Sequence, residues 1–177
     1  DTGKYTWWRK GPTASDFIHE DVTPNFFKRS MVYIKERSKQ DKPFFLYLAL
    51  PSPHTPILPT PEWQGKSGIN YYADFIMQID DYVGQLIQTL NDEGITDNTM
   101  VVFTSDNGGL ATTEGSPTCN APLSEGKGWM YEGGTREPLL VYWPGVTEPN
   151  SFCDVPVTSI DFYPTILDMV GAEQLPA

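Results

Sequence analysis

The stretch Val101-Val102-Phe103-Thr104-Ser105-Asp106-Asn107-Gly108-Gly109 decides how this chain is built. An apolar, β-branched run climbs into a polar tip that ends in two glycines. The run is too short for a helix and reads as a buried strand. In open α/β sheets, ligands and catalytic groups gather at the carboxyl ends of such strands. Here that end carries Asp106 and Asn107, hard oxygen donors of the kind Ca²⁺ or Mg²⁺ takes. The two glycines allow a sharp backbone turn, which would let both side chains face one site. Asn-Gly is equally a hairpin-turn signal, so on these residues alone a turn and a metal site balance. The strand before and the lysine-bearing glycine loop after tilt the balance towards a site.

Working outward, the pattern predicts a long helix over about 70–93, with Tyr72, Phe75, Ile79, Val83, Leu86, Ile87 and Leu90 on one apolar stripe and Gly94 past its end. Further back, Phe44 to Leu50 is a nearly unbroken apolar run, suited to a strand covered on both faces. It runs into the stiff loop Pro51-Ser52-Pro53-His54-Thr55-Pro56. Thr23-Pro24 reads as a helix start with a capping hydroxyl, and Phe27, Met31 and Ile34 follow at helical spacing to about Gln40. The tryptophans Trp7 and Trp8 read as loop anchors. After Gly109, residues 106 to 135 are glycine-rich and aperiodic, a length that marks a functional or mobile loop. Leu139 to Trp143 is a further strand, Val155 to Ser159 a candidate short one, and a helix over about 161–170 ends before Gly171. This alternation is the signature of α/β layering with a mostly parallel sheet flanked by helices.

With 177 residues the chain has one domain's length, and 39% hydrophobic and 13% aromatic residues argue for a packed core rather than disorder. The net charge is −11 and no run of Lys and Arg exceeds two. Nucleic acid and anionic membrane are therefore poor candidates for the main partner. A small anionic substrate needs only a local cluster of donors. No apolar run reaches transmembrane length. Cys119 and Cys153 form no C-x-x-C pair, and their first expectation is burial as small hydrophobes. The polar opening at Asp1, with neither methionine nor signal peptide, is expected of a segment of something longer.

His54 leaves a predicted strand between two prolines, rigidly placed as an acid/base or anion-binding imidazole needs to be. A loop-bonded histidine is an equal reading. His19 is expected at the surface. Lys127 lies in Gly126-Lys127-Gly128. This is no P-loop, because no glycine stands five residues before Gly126 and no Ser or Thr follows the lysine. A lysine between glycines can still approach an anion as a point charge. Glu125, Glu132, Arg136 and Glu137 are expected in surface ion pairs or loop contacts. Asp80 and Asp81, successive on a helix, do not face each other and read as structural.

Four blocks, PFFLYLALPSPHTP, TMVVFTSDNGG, NAPLSEGKGWMYEGGTREPLLVYWPG and TSIDFYPTILDMVGA, with the long helix between the first two, closely resemble the type I sulfatases. These are formylglycine-dependent sulfuric ester hydrolases of the alkaline phosphatase superfamily. The likeness runs from about Pro43 to Ala172. It implies an alkaline-phosphatase-like α/β fold and a secreted or periplasmic enzyme acting on a sulfated saccharide or aryl sulfate. It implies Asp106 and Asn107 as two ligands of an active-site Ca²⁺, Lys127 as the lysine that binds sulfate and helps the bridging oxygen leave, and His54 as a histidine contacting the ester. The family's nucleophile is a formylglycine made within Cys/Ser-x-Pro/Ala-x-Arg, and this chain lacks that motif. Residues 1–177 thus read as one partial catalytic domain, the later part, with formylglycine expected upstream. Two other readings stay open: a phosphonate or phosphate ester hydrolase of the same superfamily, and a non-catalytic calcium- or carbohydrate-binding relic.

Overall fold

Helix α2 (Tyr71–Asp92) carries the packed core. Its apolar stripe recurs at helical spacing, and Phe75, Ile79 and Leu90 are buried along it. Asn70 caps it, its side chain accepting from the Ala73 amide. Gly94 follows its end at φ +68°, a left-handed position that glycine takes without strain. Helix α1 (Val22–Arg37) packs against α2, burying Phe27 and Ile34. The Phe27 and Tyr82 rings meet at 5.2 Å between centroids.

The computed structural model describes residues 11–111 and 118–172. The reading of Trp7 and Trp8 lies outside them. The chain divides into two units, one through Val146 and one from Thr147. In the first, short 3₁₀ turns at His19–Asp21 and Thr96–Asn98 flank the helices. Strand β1 (Val101–Thr104) pairs with β2 (Leu139–Tyr142), and a short helix α3 (Glu132–Thr135) precedes β2. In the second unit, α4 (Ser159–Met169) opens on a reciprocal cap: the Asp161 carboxylate accepts from the Thr158 amide at 2.7 Å, and the Thr158 hydroxyl accepts from the Ile160 amide.

Several expectations are corrected. The β1–β2 ladder is antiparallel, with Val101 opposite Tyr142 and Thr104 opposite Leu139. β1 is not the buried strand expected, because no helix packs on the ladder among the described residues. Val102, Phe103 and Leu140 are accordingly exposed. Residues 44–50 are no strand, since a strand needs a partner ladder and none pairs with them among the described residues. Val155–Ser159 forms no strand either. Thr23 does not cap α1, which begins one residue earlier; its hydroxyl donates instead to the Ser52 hydroxyl at 2.9 Å. Both cysteines are free and exposed, because each lies on a loop rather than on the inner face of an element.

Candidate active site

The polar tip after β1 is held by backbone packing rather than by its side chains. The Gly108 amide donates to the Gly134 carbonyl at 3.2 Å. The Lys127 amide donates to the Gly109 carbonyl at 3.1 Å, and the Gly133 amide to the Ser124 carbonyl at 2.8 Å. The Asn120 side-chain amide bridges the carbonyls of Gly109 and Glu125, each at 2.9 Å. The described parts of residues 106–135 are therefore a tightly stitched loop.

This stitching explains the glycines, and for a different reason than turning. Neither Gly108 nor Gly109 has a positive φ. A Cβ on Gly108 would collide with the Gly133 carbonyl, one on Gly126 with the Gly109 carbonyl, and one on Gly134 with the Trp129 carbonyl. Five glycines let three backbone segments lie almost in contact. The consequence for chemistry is placement: Lys127 is pinned next to the tip that carries Asp106 and Asn107.

The side chains at the tip are uncommitted. The Asn107 amide nitrogen donates to the Gly108 carbonyl at 3.2 Å, which leaves its oxygen free. Neither the Asp106 carboxylate nor the half-buried Lys127 ammonium has a side-chain hydrogen bond or ion pair among the described residues. A hard cation fits the chemistry of these oxygen donors, but two fall short of the six to eight that Ca²⁺ takes. Among the described residues no group of three His, Cys, Asp or Glu is gathered for a metal.

Glu137 joins this region unexpectedly. Burial first, and the Asp106 charge second, push its carboxyl above the usual range. Its Oε1 is buried with no hydrogen-bond partner among the described residues. It makes no surface ion pair there, whereas Glu132 and Arg136 do, at 3.5 Å. The signal that finds Glu137 is its place: it lies two residues before β2, whose first residue, Leu139, pairs with Thr104 at the end of β1 from which Asp106 follows.

His54 is exposed on its own loop, with its amide bonded to the Pro51 carbonyl and its Nδ1 within 2.8 Å of the Thr55 carbonyl. As donor to that carbonyl, Nδ1 leaves Nε2 open. The loop is anchored at both ends. Ser52 meets Thr23 on α1, and α2 grips the downstream chain: the buried Gln78 oxygen accepts from the Thr60 amide at 3.0 Å. Asp74 accepts from the Gly65 and Ser67 amides, both at 2.8 Å. No hydrogen bond links His54 to the β1 tip among the described residues. His19 is exposed, as are Asp80 and Asp81, and Asp81 accepts from the Gln85 side chain at 2.6 Å.

The sulfatase family profile matches residues 2–172. This chain belongs to the sulfatase family. It is 41% identical over 160 residues to a sulfatase of Formosa agariphila, covering 80% of this chain and 28% of that one. It is 36% identical to human arylsulfatase A, covering 77% and 27% respectively. Among solved structures, Ps i-CgsB bound to k-i-k-neocarrahexaose superposes with a TM-score of 0.79 at 33% identity, over 87% of this chain and 35% of that one. BT33336S-sulf, from a Bacteroides thetaiotaomicron locus for metabolism of multiple glycosaminoglycans, gives 0.80 at 29% identity, over 90% and 34%. The fold is thus part of the alkaline-phosphatase-like α/β fold of sulfatases. The chain spans about a third or less of the length of these relatives.

Proposed function

We propose that this chain is the later part of the catalytic domain of a sulfuric ester hydrolase acting on a sulfated saccharide. The observation that supports the reading is the bond from the Lys127 amide to the Gly109 carbonyl, which brings the backbone of the Gly126-Lys127-Gly128 loop against the tip that follows β1. Asp106 and Asn107 supply two oxygen ligands to Ca²⁺, and the remaining ligands come from elsewhere in the intact protein. When bound, the cation withdraws charge from the sulfate oxygens. Lys127 binds the sulfate and holds the negative charge that builds on the bridging oxygen as it leaves. His54, with Nδ1 turned to the Thr55 carbonyl, offers Nε2 to the ester.

The nucleophile lies outside these residues, since no Cys/Ser-x-Pro/Ala-x-Arg occurs in the sequence. Formylglycine in another part of the intact protein fills that role. A saccharide substrate is favoured because one matching structure holds a neocarrahexaose and another comes from a glycosaminoglycan locus. The same reading puts the protein in a secreted or periplasmic compartment. No helix among the described residues is long and apolar enough to cross a membrane.

The test is turnover of p-nitrophenyl sulfate, p-nitrophenyl phosphate and a phosphonate ester by the intact protein and its Lys127→Ala variant. Sulfate ester hydrolysis that falls about 10²–10³-fold in the variant supports the reading, the usual cost of losing one charge-stabilising donor. Preferred turnover of the phosphate or phosphonate ester would assign the site to the related phosphoryl chemistry instead. No turnover of any ester by the intact protein would leave a non-catalytic binding role.

A further inference from the structure

We infer that the outer face of α1 is a second, non-catalytic binding site for an anionic glycan chain. The inference rests on the saccharide reading above only for the identity of the polyanion; the site itself stands on charge and shape.

Charge is strongly segregated in this protein. Residues 22–42 hold six of the 12 Lys and Arg but only two of the 23 Asp and Glu. These cations are Lys28, Arg29, Lys35, Arg37, Lys39 and Lys42. The one ion pair among the described residues is Glu132–Arg136, far along the sequence. None of the six is therefore neutralised by a carboxylate among those residues, in a chain with a surplus of carboxylates. Solvated helix faces ordinarily interleave both signs. Lys39 and Lys42 lie just past the end of α1, and a stretch that keeps its cations unpaired has a positive field and draws polyanions.

The face also has a shape. Asn25, Lys28, Arg29, Val32, Tyr33 and Glu36 line an open groove of about 370 Å³. Their spacing of three, four and seven puts them on one side of the helix. Tyr33 forms an aromatic wall. Its ring meets Phe44 edge-on at 5.8 Å, and the Arg37 guanidinium sits 5.9 Å from its centre. A fixed ring beside unpaired cations and an amide suits a sugar ring that bears sulfate or carboxylate groups. Lys28 and Arg29 meet the anions, Asn25 the hydroxyls, and Tyr33 with Val32 the apolar sugar face. Glu36, the groove's carboxylate, opposes binding. None of these residues belongs to the β1 tip or the His54 loop, so the site would hold a long polymer while its ester is processed elsewhere.

The test compares three forms of the intact protein, wild type, K28E/R29E and E36Q, for binding to immobilised dextran sulfate, with unmodified dextran as control. All substituted positions are exposed, and unchanged melting temperatures verify the fold. The expected result is at least about a tenfold loss of affinity in K28E/R29E, with the log–log salt slope shallower by about two, as for any polyanion that loses two cationic contacts. E36Q is expected to bind more tightly. Turnover of p-nitrophenyl sulfate should be the same in all three. Equal dextran sulfate binding by wild type and K28E/R29E overturns the site. So does an equal loss on unmodified dextran, or a weaker E36Q. The binding readout needs no catalysis, so absence of sulfatase activity would undo the proposed function while leaving this test intact.

Discussion

Glu137 lies two residues before β2 and Asp106 two residues after β1, at the same end of the antiparallel ladder, where Leu139 pairs with Thr104. Two carboxylates thus share the end of the ribbon, and the Asp106 charge adds to burial in raising the Glu137 carboxyl. Glu137→Gln removes one of the two charges and keeps the shape. It is expected to raise the melting temperature at pH 7 in the presence of a calcium chelator. An unchanged or lower temperature would mean the two carboxylates do not repel each other.

Gly126 lies against the carbonyl that also accepts from the Lys127 amide. Gly126→Ala must move one of the two segments. Overpacking of this kind costs about 1–3 kcal/mol, and a misplacement near 1 Å can lower turnover about 10²-fold. The expected outcome for the intact protein is a large drop in sulfate ester kcat with a modest drop in thermal stability. Gly84 is the contrast: it is exposed in mid-α2 with nothing within 4 Å of an added Cβ. Gly84→Ala should stabilise by about 0.5–1 kcal/mol in a denaturant melt.

Asp74 is 1% exposed, and the Ser67 hydroxyl and amide, with the Gly65 amide, hold its carboxyl below the ordinary value. A depressed carboxyl favours the folded state fully above its unfolded pKa near 4, and the contribution is lost as the pH falls through that value towards the folded one. Asp74→Asn should therefore lower the melting temperature at pH 7 and flatten its decline below about pH 4. Parallel curves for the two proteins would show that the carboxylate charge is irrelevant.

Gln78 is fully buried and its oxygen takes the Thr60 amide. Gln78→Leu fills the space but orphans that amide, at a cost of about 1–3 kcal/mol. Urea melts should show it, with faster proteolysis near residue 60 because this bond ties the His54 loop to α2.

Calcium binding should need more than these residues. Isothermal titration of the 177-residue chain alone is expected to give no affinity tighter than about 1 mM, since two donors replace few of the ion's water ligands. In the intact protein, Asp106→Ala should weaken both calcium affinity and turnover. Tight calcium binding by the chain alone would show that it holds a complete site.

The sequence by itself determined the courses of α1, α2 and α4 and the glycines that follow α2 and α4, while the four-residue α3 read as a turn. The Phe75–Ile79–Leu90 stripe follows from helical periodicity, which is local, and Gly94 and Gly171 mark positive φ where a helix must stop. Asp106, Asn107 and Lys127 could be named as candidates because each sits in a short local motif, SDNGG or GKG. Only the tertiary structure decided what depends on partners distant in sequence. The run 44–50 has the composition of a strand, yet strand formation requires a ladder, and β1 and β2 found each other in antiparallel register instead. That pairing brought Glu137 and Asp106 to the same end of the ribbon. Gly108, Gly109, Gly133 and Gly134, which read as turn formers, serve close approach of backbone segments up to 26 residues apart, a constraint that no local pattern encodes.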